Sequence, residues 1–518
     1  MSVITKRSLG INAGILGMAS LLSYILGLWR DRLLAGQFGA GTDLDVFNSS
    51  FIIPDIIINL LAAALTTAFI PVFTQLWQQQ GKEASWRVVN KLMNLLSLLM
   101  LAAVLLAWLF MPQLTHLVAP GFNAEQRLLL IQTTRLMLLS PLLFSISTIF
   151  GSTLQGLQRF VSYAISPLLY NVGIVLGIIF LAPRFGIIGV VAGVIAGAGL
   201  HMIVRLIELI KTGWRWQWLT DWHDPAIIQT VKLMLPRIIG LLTVQANLWI
   251  YNAFGSLLTS GSITVFNLAR NFQSLPVSLF GIALASAAFP VLSTAYADKN
   301  NIEYQQKLHW TMRQIIFFTV PASLAMIALA QPLIGTLLGT GAFSQEAVLA
   351  TSITLTMFAI SIPLESLLHI LARAFYARHN TVAPVIIAVI AMLVNIITCW
   401  IASKYIGVTG LALGFVLTAL TQVVLLFYWL KRKKIYGQDK TVLITFAKSL
   451  LASGLMSLTI WGVYQLHLRT LFTLGIGVMV GTVTYLGLAL LLRMPEITSL
   501  TSIIKQKIWP KNYGTTPK

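Results

Sequence analysis

The sequence is poor in charged residues and in cysteine. Only 10% of its 518 residues are Asp, Glu, Lys or Arg, and 57% are hydrophobic, whereas a soluble domain has about 25% charged residues. So little polar surface cannot cover a water-soluble globule of this size, and such hydrophobicity excludes disorder. A single cysteine, Cys399, excludes a disulfide-stabilised secreted scaffold. The composition therefore predicts an all-α polytopic membrane protein.

The sequence also lacks the motifs of nucleotide-driven and metal-dependent enzymes. It has no GxxxxGK[ST] loop, which argues against ATP hydrolysis, and no HExxH zinc motif. Its seven histidines and Cys399 show no metal-ligand spacing. Cys399 is expected to pack as a small apolar residue inside a span. We therefore expect neither an enzyme nor a bound cofactor or metal.

Long apolar runs are what the sequence has in abundance. A helix needs about 20 mostly apolar residues to cross the hydrocarbon core, and these runs are too long and too free of alternation for barrel strands. The pattern predicts fourteen transmembrane helices, near residues 8–28, 44–73, 91–111, 128–150, 161–182, 185–207, 233–254, 263–292, 314–336, 347–370, 382–403, 405–430, 443–466 and 471–492.

Lysine and arginine are unevenly distributed over the segments between these runs. With the N-terminus in the cytoplasm, most of them lie on the cytoplasmic side, including the run Lys431–Lys434 and Arg313 at the membrane edge. Positive charge marks cytoplasmic loops, so the net charge of +20 needs no nucleic-acid partner. The bias predicts that both termini are cytoplasmic and that Gly341 is periplasmic. Replacing Arg313 by alanine is expected to have only a mild effect on transport.

An internal repeat appears at an offset of 219 residues. Val46-Phe47-Asn48 recurs as Val265-Phe266-Asn267, and Arg159 recurs as Arg378. Six predicted spans separate the copies, so both insert in the same orientation, as parallel repeats. We expect two six-helix lobes at 1–210 and 225–435, an unrepeated helix pair at 443–492, and a cytoplasmic tail at 493–518. Two lobes around a midplane site are the architecture of an alternating-access carrier.

Ionisable residues at membrane depth are concentrated in the first two spans. Such groups are costly there and usually face a cavity or a partner. Arg30 and Asp31 end span 1, and Asp45 and Asp55 lie in span 2, ten residues apart and so roughly on one side of the helix. Either of these two carboxylates could neutralise Arg30 in an empty site. The alternative is that Arg30 snorkels to the interface.

The second lobe carries its own polar positions. Arg237 opens span 7, and Arg270 lies beside Asn271 in span 8. Glu365 and His369 lie on one face of span 10, where a structural ion pair is the favoured interpretation. Arginine binds phosphate oxygens in a bidentate manner and stays charged. The arrangement indicates an anionic amphiphile, and phospholipids, lipid-linked sugars and anionic drugs all fit.

Short motifs in chain order resemble the MurJ (MviN) lipid II flippases of the MOP exporter superfamily. The first hairpin carries the clearest of them, and the ordered set extends along nearly all of the chain. The motifs are Leu26-Gly-Leu-Trp-Arg30-Asp31, Phe38-Gly-Ala-Gly41, Phe51-Ile-Ile-Pro54, Ala68-Phe-Ile-Pro71, Ala119-Pro-Gly-Phe122, Gln155-Gly-Leu-Gln-Arg159-Phe160, Gly341-Ala-Phe343 and Phe375-Tyr-Ala-Arg378.

The resemblance implies a flippase in the bacterial inner membrane. Members of this family move undecaprenyl-pyrophosphate-linked peptidoglycan precursor, lipid II, from the cytoplasmic to the periplasmic leaflet for cell-wall biogenesis. The implied partners are that lipid-linked glycan and the bilayer, and the chain is expected to be a monomer. Competing interpretations are a related exporter of another polyprenyl-linked glycan or of drugs, and a membrane scaffold that transports nothing.

The resemblance also implies a set of site residues. Arg30, Asp31 and Asp45 match family positions in the first lobe. The family's arginine pair of span 2 is replaced by Ile58-Asn59 and its earlier span-1 arginine by Tyr24. Its span-8 arginine aligns with Asn271, so Arg270 and Arg237 are candidates to supply the missing charge. Asp55, Glu365, His369, Arg159 and Arg378 are candidates for structural or gating roles. Span 11 offers Asn395 and Cys399 but no carboxylate, which argues against sodium coupling and leaves membrane potential or protons.

Overall fold

A computed structural model describes the backbone of residues 6–433, 435–437, 440–466 and 470–497. The side chains at positions 6–16, 63, 64, 67, 236, 237 and 239 lie outside the described residues. Every regular element in the described ranges is helical, and no strand occurs in them. This confirms the prediction of an all-α chain.

The chain divides into two compact units, Met1–Thr264 with Leu338–Ala347, and Val265–Leu337 with Val348–Lys518. This division does not test the lobe boundaries expected from the repeat, which stay a prediction. Helices that lie in the first unit are α1 (Lys6–Phe38), α2 (Thr42–Ser50), α3 (Ile52–Ile58), α4 (Ala64–Gln79), α5 (Gly81–Leu109), α6 (Met111–Val118), α7 (Ala124–Met137), α8 (Leu139–Gly156), α9 (Val161–Leu176), α10 (Ala182–Ile210) and α11 (Pro225–Ser256).

The remaining helices belong to the second unit, apart from the first residues of α12 and of α16. They are α12 (Ser262–Pro276), α13 (Ala283–Ala297), α14 (Asn301–Ala328), α15 (Ala330–Leu337), α16 (Gln345–Tyr376), α17 (Val382–Ile406), α18 (Val408–Arg432), α19 (Thr441–Tyr464) and α20 (Thr470–Leu491). Wider π-helical turns at Asn59–Ala63, Gly177–Leu181 and Val277–Ile282 join α3 to α4, α9 to α10 and α12 to α13.

Many of these helices are long and apolar enough to cross a membrane. Within the described residues eleven pass this test, and twelve do if the bent pair Pro225–Leu235 and Gly240–Ser256, which meet at 51°, forms one span. Large apolar side chains such as Leu105, Phe180 and Val483 are exposed on them. An apolar surface of this extent is stable only against lipid. The prediction of a polytopic membrane protein is therefore confirmed.

Arg313 was expected to tolerate replacement by alanine, but the structure places it in a buried ion pair. Its Nε atom donates to Glu496 Oε1 at 2.7 Å and also lies 3.2 Å from Thr445 Oγ1. The Glu496 side chain is fully buried. Removing one partner of a buried ion pair leaves an uncompensated charge, which is strongly destabilising. The pair ties α14 to α19 and to the segment that follows α20, so an alanine at Arg313 is not expected to be mild.

Candidate substrate site

Arg30 lies inside α1 and is held in a defined orientation. It is eight residues before Phe38, the last residue of the helix, which is about 12 Å along the axis. Its Nε and Nη2 atoms donate to Asp31 Oδ1 at 3.0 and 2.7 Å, and Nη1 donates to Asn171 Oδ1 at 3.2 Å. Asn171 donates in turn to Ser23 Oγ at 3.2 Å. The adjacent Asp31 carboxylate therefore neutralises Arg30, whereas the sequence suggested Asp45 or Asp55 for that role.

The Arg30 guanidinium keeps the capacity to bind an anion. Its hydrogen bonds to other described residues use three of its five N–H groups. The Arg30 side chain is 25% exposed, whereas that of Asp31 is 7% exposed. The arginine is therefore the more accessible member of the pair. Tyr170, next to Asn171 in α9, lies within electrostatic range of both Arg30 and Asp55.

Asp45 has a different environment, at the beginning of α12. Its Oδ2 atom accepts from the Gly261 backbone N–H at 2.6 Å, and its Oδ1 atom accepts from the Thr264 N–H at 2.8 Å and from Thr264 Oγ1 at 2.7 Å. The residue is 3% exposed. The first N–H groups of a helix have no partner within it and favour negative charge. Asp45 of α2 therefore caps α12 from another part of the chain.

Further contacts surround this cap. Thr42 Oγ1 lies 2.9 Å from Ser260 Oγ, and the Ala342 N–H donates to the Gly36 carbonyl at 2.7 Å. We call this set, from Gly36 and α2 to residues 260–264 and 341–342, the outer seam. All of it lies within the first unit.

Two glycines make the close approach of the outer seam feasible. Gly261 has φ +92°, and a Cβ there would come 2.3 Å from the Ala40 carbonyl oxygen. Gly341 has φ +60°, and a Cβ there would come 2.1 Å from the Gly36 carbonyl oxygen. Left-handed backbone is accessible to glycine at little cost, and no side chain fits either space. A cysteine introduced at Gly341 to test its predicted periplasmic location would therefore disrupt this segment.

The polar group of the second unit is centred on Glu365 of α16. Gln273 of α12 donates from Nε2 to Glu365 Oε2 at 2.7 Å and to Ser361 Oγ at 3.1 Å. Arg270, one turn earlier on α12, interacts electrostatically with Glu365. The His369 carbonyl accepts from Arg373 Nη1 at 3.2 Å. Arg270 and Glu365 therefore attract each other electrostatically. The Glu365 carboxylate also accepts a hydrogen bond from the neutral amide of Gln273.

The remaining candidates have different surroundings. Asn271 is half-buried in α12 and its carbonyl accepts from Ser274 Oγ at 2.8 Å. Arg378 lies over the rings of Tyr296 and Tyr304, at 4.7 and 5.6 Å from their centroids, which is the geometry of cation–π packing. Arg159 is exposed in the turn between α8 and α9. The side chain of Arg237 lies outside the described residues, so its role stays a prediction.

The charged side chains of the candidate site are oriented by neutral residues that were not predicted from the sequence. Asn171, Gln273 and Thr264 hydrogen-bond Arg30, Glu365 and Asp45 respectively. For Asn171 and Gln273 the available signal was an amide within an apolar helix, because a buried amide needs a hydrogen-bond partner. Among the described residues no group of three or more His, Cys, Asp or Glu could hold a metal ion.

Comparison with known proteins gives consistent matches. The family model described as "Lipid II flippase MurJ" matches residues 34–481. A curated relative, "Probable lipid II flippase MurJ" of Vibrio cholerae, is 27% identical over 532 aligned residues, which cover 96% of this chain and 99% of the relative.

Two solved structures resemble the fold over most of its length. The first, "Lipid II flippase MurJ, inward closed conformation", matches with a TM-score of 0.79 and 25% identity, and covers 92% of this chain and 98% of that structure. An inward-facing multidrug resistance MATE family transporter of the MOP superfamily matches with a TM-score of 0.70 and 16% identity, and covers 80% of this chain and 94% of its own. At that identity the second match concerns the fold alone.

Proposed function

The chain belongs to the family of the lipid II flippase MurJ, and on that premise we propose that it moves lipid II from the cytoplasmic to the periplasmic leaflet by alternating access. It acts in the bacterial inner membrane as a multi-pass monomer with both termini in the cytoplasm. It makes and breaks no covalent bond in its substrate, and its partners are the lipid-linked glycan and the bilayer.

The orientation of Arg30 is the observation that carries the proposal. A guanidinium about 12 Å inside a membrane helix, held by Asp31 and Asn171, still has two N–H groups that bond none of the described residues, on a side chain that is 25% exposed. A pyrophosphate offers the oxygens that such a fork binds. The undecaprenyl chain suits the surrounding apolar surface. We assign Arg30 as the pyrophosphate-binding residue of the first lobe, with Asp31 and Asn171 as its positioning residues.

The second lobe would supply further positive charge. Arg270 and Asn271 lie side by side on α12, and Arg237 lies on α11. We propose that these three take over the role of the arginines that Ile58, Asn59 and Tyr24 replace. Glu365, held by Gln273, balances the charge of Arg270 between transport cycles.

The helices support fourteen crossings when their lengths are considered. Eleven spans and one bent pair among the described residues make twelve. The 50-residue segment Val161–Ile210 would be about 75 Å long, more than twice the hydrocarbon core, and it leaves helical geometry at Gly186, with φ 56° and ψ −140°. We therefore count it as two crossings. Helix α1, Lys6–Phe38, makes fourteen.

The helix boundaries support the parallel repeat. Helix α5 ends at Leu109 and α14 ends at Ala328, 219 residues later. Helix α6 spans Met111–Val118 and α15 spans Ala330–Leu337, again 219 residues later at both ends. The π-helical turns before α4 and α13 end at Ala63 and Ile282, with the same offset. We propose on this basis that 1–210 and 225–435 are repeated lobes and that 443–492 is an added pair.

The outer seam supplies one closure of the alternating-access cycle. In the proposed orientation α1 ends and α2 begins on the periplasmic side, so the seam closes that side between the first lobe and the start of the second. Opening it requires Asp45 to leave the N-terminus of α12. We propose that this release accompanies delivery of lipid II to the periplasmic leaflet.

Rescue of a bacterium depleted of its own lipid II flippase tests the proposal. The wild-type chain should restore growth, Arg30→Ala should not, and Arg184→Ala, which removes an exposed arginine of the same lobe, should behave as wild type. Membrane levels of all three must be equal. If the wild-type chain inserts but does not rescue growth, the chain carries a different substrate.

A further inference from the structure

The segment between α10 and α11 is fastened to the side of α5. We call residues 211–224 the strap. Asn90 donates from Nδ2 to the Arg215 carbonyl at 3.0 Å and accepts from Trp214 Nε1 at 3.1 Å. One turn further along α5, Asn94 donates to the Gln217 and Leu219 carbonyls at 2.9 and 3.0 Å. The strap therefore has a fixed course although it contains no helix.

A second fastening neutralises the acidic end of the strap. Lys91 Nζ lies 2.9 Å from Asp221 Oδ2 and 2.7 Å from Asp224 Oδ2. The hydrogen bond from Lys91 lowers the pKa of the Asp221 carboxyl. The carboxylates of Asp221 and Asp224 both pair with Lys91. The remaining charges of the strap are the exposed side chains of Lys211 and Arg215, so its outer surface is positive.

The strap covers one end of an apolar groove of about 570 Å³. Trp214, Arg215 and Trp216 border the groove at the strap. Its walls come from α5, α8 and α10 and include Met93, Ile146, Phe150, Met202 and Leu206. Among the described residues that line it, Arg215 is the one charged residue.

The surroundings of the groove indicate that it opens toward lipid. Ile203, Ile207 and Ile210 of α10 are large and exposed, and Ile210 also lines the groove. Trp216 and Trp218 of the strap are 59% and 61% exposed. Exposed tryptophans beside basic residues mark the level of lipid headgroups. The apolar walls therefore lie at the depth of acyl chains, and Arg215 lies at the depth of phosphates.

We infer that this groove binds an anionic phospholipid of the cytoplasmic leaflet, in the proposed orientation. One acyl chain occupies the groove against Ile146, Met202 and Leu206, and the phosphate contacts Arg215 with Lys211 beside it. Basic pockets between transmembrane helices on the cytoplasmic side are suited to anionic headgroups. The site lies on the lipid-facing surface of the first unit and is separate from the Arg30 cluster and from the transported substrate.

Native mass spectrometry of the purified full-length chain tests the inference by counting lipids bound during titration. The wild-type chain should retain phosphatidylglycerol in preference to phosphatidylcholine. Arg215→Ala should raise the apparent Kd for phosphatidylglycerol about tenfold, the effect of losing one charge-assisted contact, and leave phosphatidylcholine unchanged. The matched control Arg87→Ala, which removes an exposed arginine of α5 outside the groove, should retain the wild-type preference.

A second variant separates the groove from simple charge attraction. Leu206→Trp fills the groove and should weaken binding of both lipids while leaving the melting temperature within a few degrees of wild type. Equal lipid preference in wild type and Arg215→Ala would overturn the inference. So would an equal loss in Arg87→Ala, or complete competition by millimolar inorganic phosphate. None of these measurements involves transport, so they are independent of the flippase proposal.

Discussion

Asp45→Asn should loosen the outer seam while keeping its shape. The substitution replaces one carboxylate oxygen by an amide NH₂, which cannot accept from the Gly261 N–H, and it removes the charge from the two bonds made by Thr264. Hydrogen bonds to a charged group contribute about 1.5–3 kcal/mol each. Asp45 is buried, so solvent does not screen the loss. We expect the closed seam to lose about 2–3 kcal/mol, which raises its open fraction about 30- to 150-fold.

Alkylation of a cysteine buried in the seam measures this equilibrium. Ser262→Cys, in a Cys399→Ser background, places a thiol at a buried position next to the cap. When opening is fast, the rate of modification by an impermeant maleimide follows the open population. It should therefore rise about 30- to 150-fold with Asp45→Asn, up to the rate of the exposed Ser260→Cys.

Asp43→Asn is the matched control for the Asp45 experiment. Asp43 lies on the same helix but is exposed, so the same change of charge should alter the alkylation rate less than about twofold. Equal rates for Asp45→Asn and wild type would show that the cap does not hold the seam. An equal rise in both variants would assign the effect to the charge of α2 in general.

Three further results are expected. Arg30→Ala should abolish rescue of flippase-depleted cells, whereas Arg30→Lys should restore part of it because a point charge lacks the bidentate fork; full activity of the alanine variant would contradict the site. Arg313→Ala should lower the free energy of unfolding by about 3–5 kcal/mol, and Arg313→Ala combined with Glu496→Gln should recover part of that loss in a thermal melt; additive losses would refute the pairing. Gln345→Cys, exposed near the seam, should react with external reagent in a cysteine-free background, and reaction only after permeabilisation would reverse the topology.

The fold class could be predicted because hydrophobic length is a property of each segment alone. A run such as 405–430 contains no charged residue and requires no knowledge of its neighbours. Boundaries were harder, because the exact residue at which a helix breaks depends on backbone angles. The sequence predicts a break between 161–182 and 185–207, at Pro183-Arg184, whereas the backbone leaves helical geometry at Gly186. The bent helix α11 poses the same problem, since the 51° between its two parts results from packing rather than from composition.

Of the candidate site, only the charged residues could be predicted from the sequence, and not their partners. Arg30 and Asp31 stand out because ionisable residues are rare inside spans, but which carboxylate meets which cation depends on the packing of distant helices. The pairing of Arg313 with Glu496 joins residues 183 positions apart, and nothing in either segment indicates it. The sequence suggested Asp45 as a partner for arginine, whereas its partners are the N–H groups at the start of α12. Every helix has such N–H groups, so the residue types at a helix start do not show which carboxylate will bind them.

Under the proposed function, the pairing of Arg30 with Asp31 would reconcile recognition of a pyrophosphate with its release. A guanidinium left alone at this depth would lose several kcal/mol of solvation in every empty cycle, and Asp31 offsets that loss. An arriving pyrophosphate can use the two N–H groups that Asp31 and Asn171 leave, so the resting pair need not break. The carboxylate then remains beside the bound anion and repels it, which keeps the affinity moderate. A carrier needs that moderation, because its substrate must leave the same arginine once the opposite side of the membrane has opened.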